Sequence, residues 1–154
     1  MKQQKRRRSI AMTPEELDTF LAQAWTCRLA TVGTNGQPHV SPVWFLWHEG
    51  AIWISSVTRS QRWRDIERNP RVSLTVDEGQ AYGELRGVTI EGRAAAVGDV
   101  PRVGAEVPEL EAPERLTNQK YRAGEEFEPD GYHAWLKVTP DKISSWDFRK
   151  LPPS

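Results

Sequence analysis

The chain has little of what small secreted proteins rely on. Its 154 residues include one cysteine, Cys27. A lone cysteine closes no intrachain bridge, which excludes a disulfide-stapled scaffold and points to a reducing cytoplasm. No apolar run of about 18 residues occurs, so no membrane-spanning helix is expected. The basic start MKQQKRRRS leads into a polar amphipathic stretch rather than an apolar signal core. Histidine is scarce: His39, His48 and His133 stand apart, without partners at metal-ligand spacing, and no metal centre is expected. A Gly-x-Gly-x-x-Gly fingerprint is also missing. Net charge is zero, from 21 basic and 21 acidic residues, but Lys2, Lys5, Arg6, Arg7 and Arg8 crowd the first eight positions. Without them 16 basic residues face 21 acidic ones. A body of that sign does not suit nucleic acid, which selects a basic face. The expected division is a disordered basic tail over 1–12, one domain over 13–150 and a short tail over 151–154.

What is present reads mostly as strands. Thr13-Pro14-Glu15-Glu16 is a capping box with proline at the first helical position, and Leu17, Phe20, Leu21 and Ala24 continue at helical spacing to about Trp25. Cys27–Val32 and His39–Trp47 flank Asn35-Gly36, a pair that readily takes positive φ, and predict a hairpin. Ala51–Val57 follows the Glu49-Gly50 turn as a third strand. A short helix over Ser60–Arg68 stops at Asn69-Pro70, because a residue before proline is pushed out of helical space. Val72, Leu74 and Val76 alternate with polar neighbours in a half-buried strand. A long strand runs from Glu84 to about Val97, with Gly87 and Gly92 as bends or bulges. Pro101 to Pro113 reads as a proline-broken connection, Glu114–Arg122 as a helix, and Tyr132–Val138 and Ile143–Trp146 as two closing strands. Strands in succession without regular helical crossovers predict a mainly β fold, a six- or seven-stranded antiparallel barrel with a few short helices.

A self-contained catalytic constellation is missing, and no catalytic side chain is assigned. Cys27 opens an apolar strand, where cysteine packs as a small hydrophobe. The informative stretch is Val57–Arg64, where strand passes into helix. There a helix N-terminus offers free N–H groups, Thr58 and Ser60 add hydroxyls, and Arg59 and Arg62 add charge, the parts of an anion site. Seven tryptophans supply core, interface or a stacking platform for a planar ligand.

Several segments together resemble the flavin and deazaflavin oxidoreductases of the split β-barrel class, the pyridoxamine 5′-phosphate oxidase-like superfamily. The residues are Cys27–Val32 with Pro38–Phe45, then Ser60-Gln61-Arg62, Asn69-Pro70-Arg71-Val72, Arg86-Gly87-Val88, Glu91-Gly92 and Ser145-Trp146-Asp147-Phe148. They are most similar to the branch of F420-dependent enzymes. The resemblance implies a homodimer with two cofactors bound at the subunit interface, each held mainly by one chain and covered by the other. It implies that Thr58, Arg59, Ser60, Gln61 and Arg62 hold the cofactor phosphate, while Pro42, Val43, Trp44, Ser55, Ser56 and Val57 flank its ring system. Tyr82, Trp146 and Phe148 are candidates for the substrate pocket. Many relatives carry arginine at Gln61 and lysine at Arg62, so one positive charge is missing here and a planar fork replaces a point charge. The longer C-terminal segment of true pyridoxamine phosphate oxidases is not matched, and vitamin B6 oxidation is not implied.

A bound reduced deazaflavin or flavin supplies hydride itself, which accounts for the missing catalytic constellation. The expected activity is hydride transfer between coenzyme F420 and a small, apolar or conjugated organic acceptor. FMN is the alternative cofactor, and a non-catalytic carrier of F420, flavin or haem is the alternative role. The expected partners are a second copy of the chain and a small-molecule substrate, not nucleic acid or membrane.

Overall fold

The Thr13 capping box forms as read. Thr13 Oγ1 accepts the Glu16 N–H at 3.2 Å, and the Glu16 carboxylate accepts the Thr13 N–H at 2.8 Å. The computed structural model describes residues 1–5 and 7–153, and there this box opens α1 (Pro14–Gln23), which buries Phe20 and Leu21. Arg6 of the basic tail and Ser154 of the C-terminal tail lie outside the described residues. β1 (Thr26–Val32) and β2 (Pro38–Trp44) pair from Thr26↔Trp44 to Val32↔Pro38. Their connection places Asn35 at φ 65° and Gly36 at φ 76°, the conformation that pair of residues tolerates best.

The run expected as one strand to Trp47 is two. At Phe45 the chain leaves β1, and β3 (Leu46–His48) pairs instead with β4 (Ala51–Val57). After α2 (Gln61–Arg68) come β5 (Arg71–Glu78), β6 (Arg86–Val97), α3 (Pro108–Tyr121) and β7 (His133–Asp147). The seven strands form one sheet in the order β2-β1-β5-β6-β7-β4-β3, every pairing antiparallel. The two edge strands, β2 and β3, are consecutive in sequence, so the sheet curls until its edges meet at Phe45. This is the split barrel.

α3 begins at Pro108 rather than Glu114, because proline is well tolerated in a first turn, and Pro113 sits buried inside the helix. The two closing strands are one, β7, which accommodates Pro140 at a register shift opposite Glu91/Gly92. Within the barrel Leu29, Ile52, Ile54, Leu74, Val88, Ile90, Leu136 and Val138 form the main core. A second cluster, Leu46, Ala51, Trp53, Leu110 and Trp135, lies between the sheet and α3. β4 is therefore covered on both faces, which explains why Ala51–Ile54 is a continuous apolar run rather than an alternating one.

The basic N-terminal segment runs along β7 rather than standing free. β4 pairs with β7 only as far as Val138, leaving one edge of Lys142–Trp146 without a strand. The Gln4 side chain accepts the Ser145 N–H at 2.9 Å and donates to the Ser145 carbonyl at 3.0 Å. The Met12 N–H donates to Ser145 Oγ at 2.9 Å, and Ile10 is buried. Among the described residues no helix is long and apolar enough to cross a membrane.

Candidate functional site

β4 and α2 meet at the turn expected to form an anion loop. Ser60 caps α2, its Oγ accepting the Trp63 N–H at 3.2 Å, which leaves the first-turn N–H groups of Gln61 and Arg62 without an intrahelical acceptor. Trp63, Asp65 and Ile66 clamp the helix to the barrel. Asp65 is fully buried and accepts from Thr31 Oγ1 at 2.7 Å, Gln61 Nε2 at 2.8 Å and Arg68 Nη2 at 2.9 Å. Burial pushes its pKa up, but these donors outweigh it and hold the carboxyl below its ordinary value. Gln61 and Arg68 are thus committed to bracing the helix.

Arg62 is placed differently. Its Nε donates to Ser56 Oγ on β4 at 2.9 Å, and its Nη1 to Ser41 Oγ on β2 at 3.4 Å. No carboxylate among the described residues forms an ion pair with it, and burial lowers its pKa. A half-buried guanidinium that faces only hydroxyls, beside the positive end of a helix, is an incomplete electrostatic arrangement that an anion completes. Arg59 and Arg64 are exposed, also without an ion pair among the described residues, and Arg64 donates to the Arg59 carbonyl at 3.3 Å.

Next to the loop stands an aromatic platform. Trp44 stacks on Tyr121 with centroids 4.5 Å apart and planes 10° apart, and meets Trp25 edge-on at 5.9 Å. The Tyr121 hydroxyl lies 2.6 Å from the carbonyls of both Trp25 and Phe45, tying the end of α3 to the β2–β3 junction. Burial pushes its pKa up to about 12. Lys120 Nζ donates to the Ala24 carbonyl and, at 3.1 Å, to the Phe45 carbonyl; burial brings its pKa down to about 8. Neither residue was visible as a candidate in the sequence, because their partners lie 75 to 96 positions away. Cys27 is fully buried and its thiol is pushed up to about 12, an inert core residue.

Behind the platform a cavity of about 230 Å³ lies beneath α3, bordered by Trp44, Ser55, Trp53, Thr117, Tyr121, His133 and Trp135 among others. At its rim His133 Nδ1 sits 2.6 Å from Asp130 Oδ2. Burial pushes the Asp130 pKa up, while the N–H groups of Tyr132 and His133 and the imidazole pull it below its ordinary value.

The fold brings most of the expected residues together. Arg62 bonds to Ser41 of β2 and Ser56 of β4, beside the loop of Thr58, Arg59 and Ser60 into which Ser55, Ser56 and Val57 lead, and Trp44 and Ser55 border one cavity, whereas Val43 packs against the barrel core and Pro42 is exposed. The Thr58 N–H donates to the Tyr132 carbonyl at 2.9 Å. Tyr82, Trp146 and Phe148 go elsewhere: the rings of Tyr82 and Phe148 pair at 4.9 Å, Trp146 packs over Gly87, and none of the three borders the cavity.

The model for the pyridoxamine 5′-phosphate oxidase family matches residues 13–147. Over 94 residues the chain is 37% identical to the 5a,11a-dehydrotetracycline/5a,11a-dehydrooxytetracycline reductase of Streptomyces rimosus, a match covering 57% of this chain and 66% of that protein, just under two thirds of its length. Among solved structures, a conserved hypothetical protein of Mycobacterium tuberculosis superposes with a TM-score of 0.83 at 29% identity, covering 98% of this chain and 95% of that one. A protein described as an F420 reductase superposes with a TM-score of 0.65 at 26% identity, covering 86% of this chain and 98% of that one.

Proposed function

The chain belongs to the pyridoxamine 5′-phosphate oxidase family, and from that premise we propose that it is an oxidoreductase. It binds a flavin-type cofactor through the cofactor phosphate at the start of α2, coenzyme F420 in preference to FMN, and serves a small conjugated organic acceptor. The observation that carries this reading is Arg62, half-buried, bonded to Ser41 and Ser56 and without a counter-charge. With the open N–H groups of Gln61 and Arg62, this donor set fits a phosphate.

The choice of F420 rests on Arg59, Arg62 and Arg64, three guanidinium groups without an ion pair among the described residues, which suit a longer anionic tail than one phosphate. The F420 reductase among the structural neighbours supports the same choice, and the reductase among the relatives supports the oxidoreductase reading. When bound and reduced, the cofactor supplies hydride. The protein's own part is to anchor the phosphate at Arg62 and Ser60, to orient the ring beside Trp44 and Ser55, and to exclude water with the platform of Trp25, Trp44 and Tyr121. A second copy of the chain completes the site. In support, Trp25, Val40 and Trp44 leave an apolar face 51%, 63% and 54% exposed, and isolated monomers rarely keep such a face in water.

The test is turnover: reduced F420 is mixed with the protein and a panel of enones and quinones, and re-oxidation is followed by absorbance. Protein-dependent re-oxidation with at least one acceptor is expected. Tight binding without turnover would make the protein a carrier instead.

A further inference from the structure

We propose that His133 gives the proton that completes the reduction, and that Asp130 is the residue that positions it. The role rests on the oxidoreductase reading above, whereas the pairing rests on geometry alone. Asp130 Oδ1 accepts the N–H groups of Tyr132 and His133 at 2.8 and 3.0 Å, which fixes the carboxylate on the turn before β7. Its other oxygen, Oδ2, then meets His133 Nδ1 at 2.6 Å. The turn needs only Oδ1; the second contact commits the imidazole. The Asp130 carboxyl is held below its ordinary value, so at neutral pH it is ionised and can only accept. Nδ1 therefore carries a hydrogen, and Nε2 is the nitrogen left to exchange a proton. Among the described residues Nε2 has no hydrogen-bond partner.

The pair is tied to the place where the cofactor is expected. β4 and β7 match Val57 with His133 and Ser55 with Trp135, and the Thr58 N–H donates to the Tyr132 carbonyl at 2.9 Å. His133 and Trp135, two apart on one strand, share a face and border the same cavity as Trp44 and Ser55. His39 and His48 do not border it. The other ionisable groups on that wall are poor proton donors. The Tyr121 hydroxyl lies 2.6 Å from two carbonyls, and burial pushes its pKa up to about 12. Arg102 is held by Asp99 and Glu114, each at 2.6 Å, and a guanidinium, there or at exposed Arg122, keeps its proton. Glu128 is exposed, without a neighbour that orients it.

The step balances. Hydride, with its electron pair, reaches the acceptor from a reduced flavin-class cofactor, which is thereby oxidised. The anion so formed takes the proton from the His133 imidazolium: the Nε2–H bond breaks and a C–H or O–H bond forms. The neutral ring keeps its Nδ1 hydrogen on Asp130, whose charge stabilises the imidazolium before transfer. The His133 side chain is 39% exposed, so solvent can return a proton to Nε2.

The experiment uses the full-length protein and has two readouts. Without cofactor, nitrogen-15 spectra of the three imidazoles at alkaline pH, assigned with His39→Gln, His48→Gln and His133→Gln, show which ring nitrogen carries the hydrogen. His133 is expected to carry it on Nδ1. Asp130→Asn keeps an oxygen for the Tyr132 and His133 N–H groups and turns an N–H toward Nδ1, so the hydrogen is expected to move to Nε2. The second readout is turnover of the enone and quinone panel with whichever of reduced F420 and reduced FMN the protein binds. His133→Gln should lower kcat by about 100-fold or more, and Asp130→Asn by at least about 10-fold. KM, cofactor affinity and melting temperature should stay near wild type in both. A wild-type His133 hydrogen on Nε2, an unchanged kcat in His133→Gln, or a loss confined to cofactor affinity would each overturn the proposal and leave the oxidoreductase reading in place. Failure of the wild-type protein to turn over any acceptor would reject both.

Discussion

Arg62→Met separates a binding residue from a structural one, because the two roles predict opposite balances of affinity and stability. The substitution removes the guanidinium and keeps most of the apolar stem. In the free protein it deletes the bonds to Ser56 Oγ at 2.9 Å and Ser41 Oγ at 3.4 Å. It also removes a half-buried charge that no carboxylate offsets and that burial already disfavours. Lost hydrogen bonds and relieved desolvation oppose each other, so the unfolding free energy is expected to stay within about 1 kcal/mol of wild type. A bound phosphate would lose charge-assisted hydrogen bonds of ~1.5–3 kcal/mol each. With partial solvent compensation, a net loss of about 2–3 kcal/mol corresponds to a roughly 30- to 150-fold rise in Kd. Tryptophan-quenching titrations with F420 and FMN measure the affinity, and urea unfolding measures the stability. The affinity of wild type should also fall more steeply with added salt than that of the variant. An unchanged Kd with an intact fold would refute the anion-site assignment. Destabilisation beyond about 2 kcal/mol would make Arg62 a strut between β2 and β4.

The remaining predictions concern the frame around the site. Asp65→Asn leaves the three donors of a fully buried carboxylate poorly matched and should cost about 3–5 kcal/mol by urea unfolding. Because the folded pKa of Asp65 is depressed, its stabilisation is complete above the unfolded value of about 4 and lost as pH falls through the folded one. Acid unfolding of wild type should therefore lose this contribution, and the variant should show a shallower dependence. At Gly87 a Cβ would stand 2.5 Å from the Trp146 ring and 2.7 Å from the Val76 carbonyl, so Gly87→Ala should destabilise by ~1–3 kcal/mol and lower the melting temperature. Cys27, buried and raised to about 12, should ignore thiol reagents in the native protein and react only as the chain unfolds, which a time course in denaturant would reveal.

The parts of the fold that are legible in the sequence are those governed by local chemistry. The Thr13 capping box, the positive-φ Asn35-Gly36 turn and the alternation of Val72, Leu74 and Val76 are each decided within a few residues. The strand end, the serine cap and the arginines around Ser60 are contiguous too, so the local elements on which the proposed anion site rests are decided nearby. Tertiary context decides the rest. Phe45 separates β2 from β3 because the sheet closes there, a fact about strands far away in sequence. Pro140 ends nothing because it falls at a register shift opposite Gly92. Lys120 and Tyr121 become part of the site through carbonyls of Ala24, Trp25 and Phe45, which no local pattern announces. The cavity beneath α3 is likewise invisible until β4, β7 and α3 are packed.

The most direct test of the account is a pair of titrations of the wild-type protein with F420 and with FMN at moderate salt, read by quenching of its seven tryptophans. Saturable micromolar or tighter binding of F420, stronger than that of FMN, is the result the account predicts. Binding of neither would contradict the claim that the start of α2 is a cofactor phosphate site.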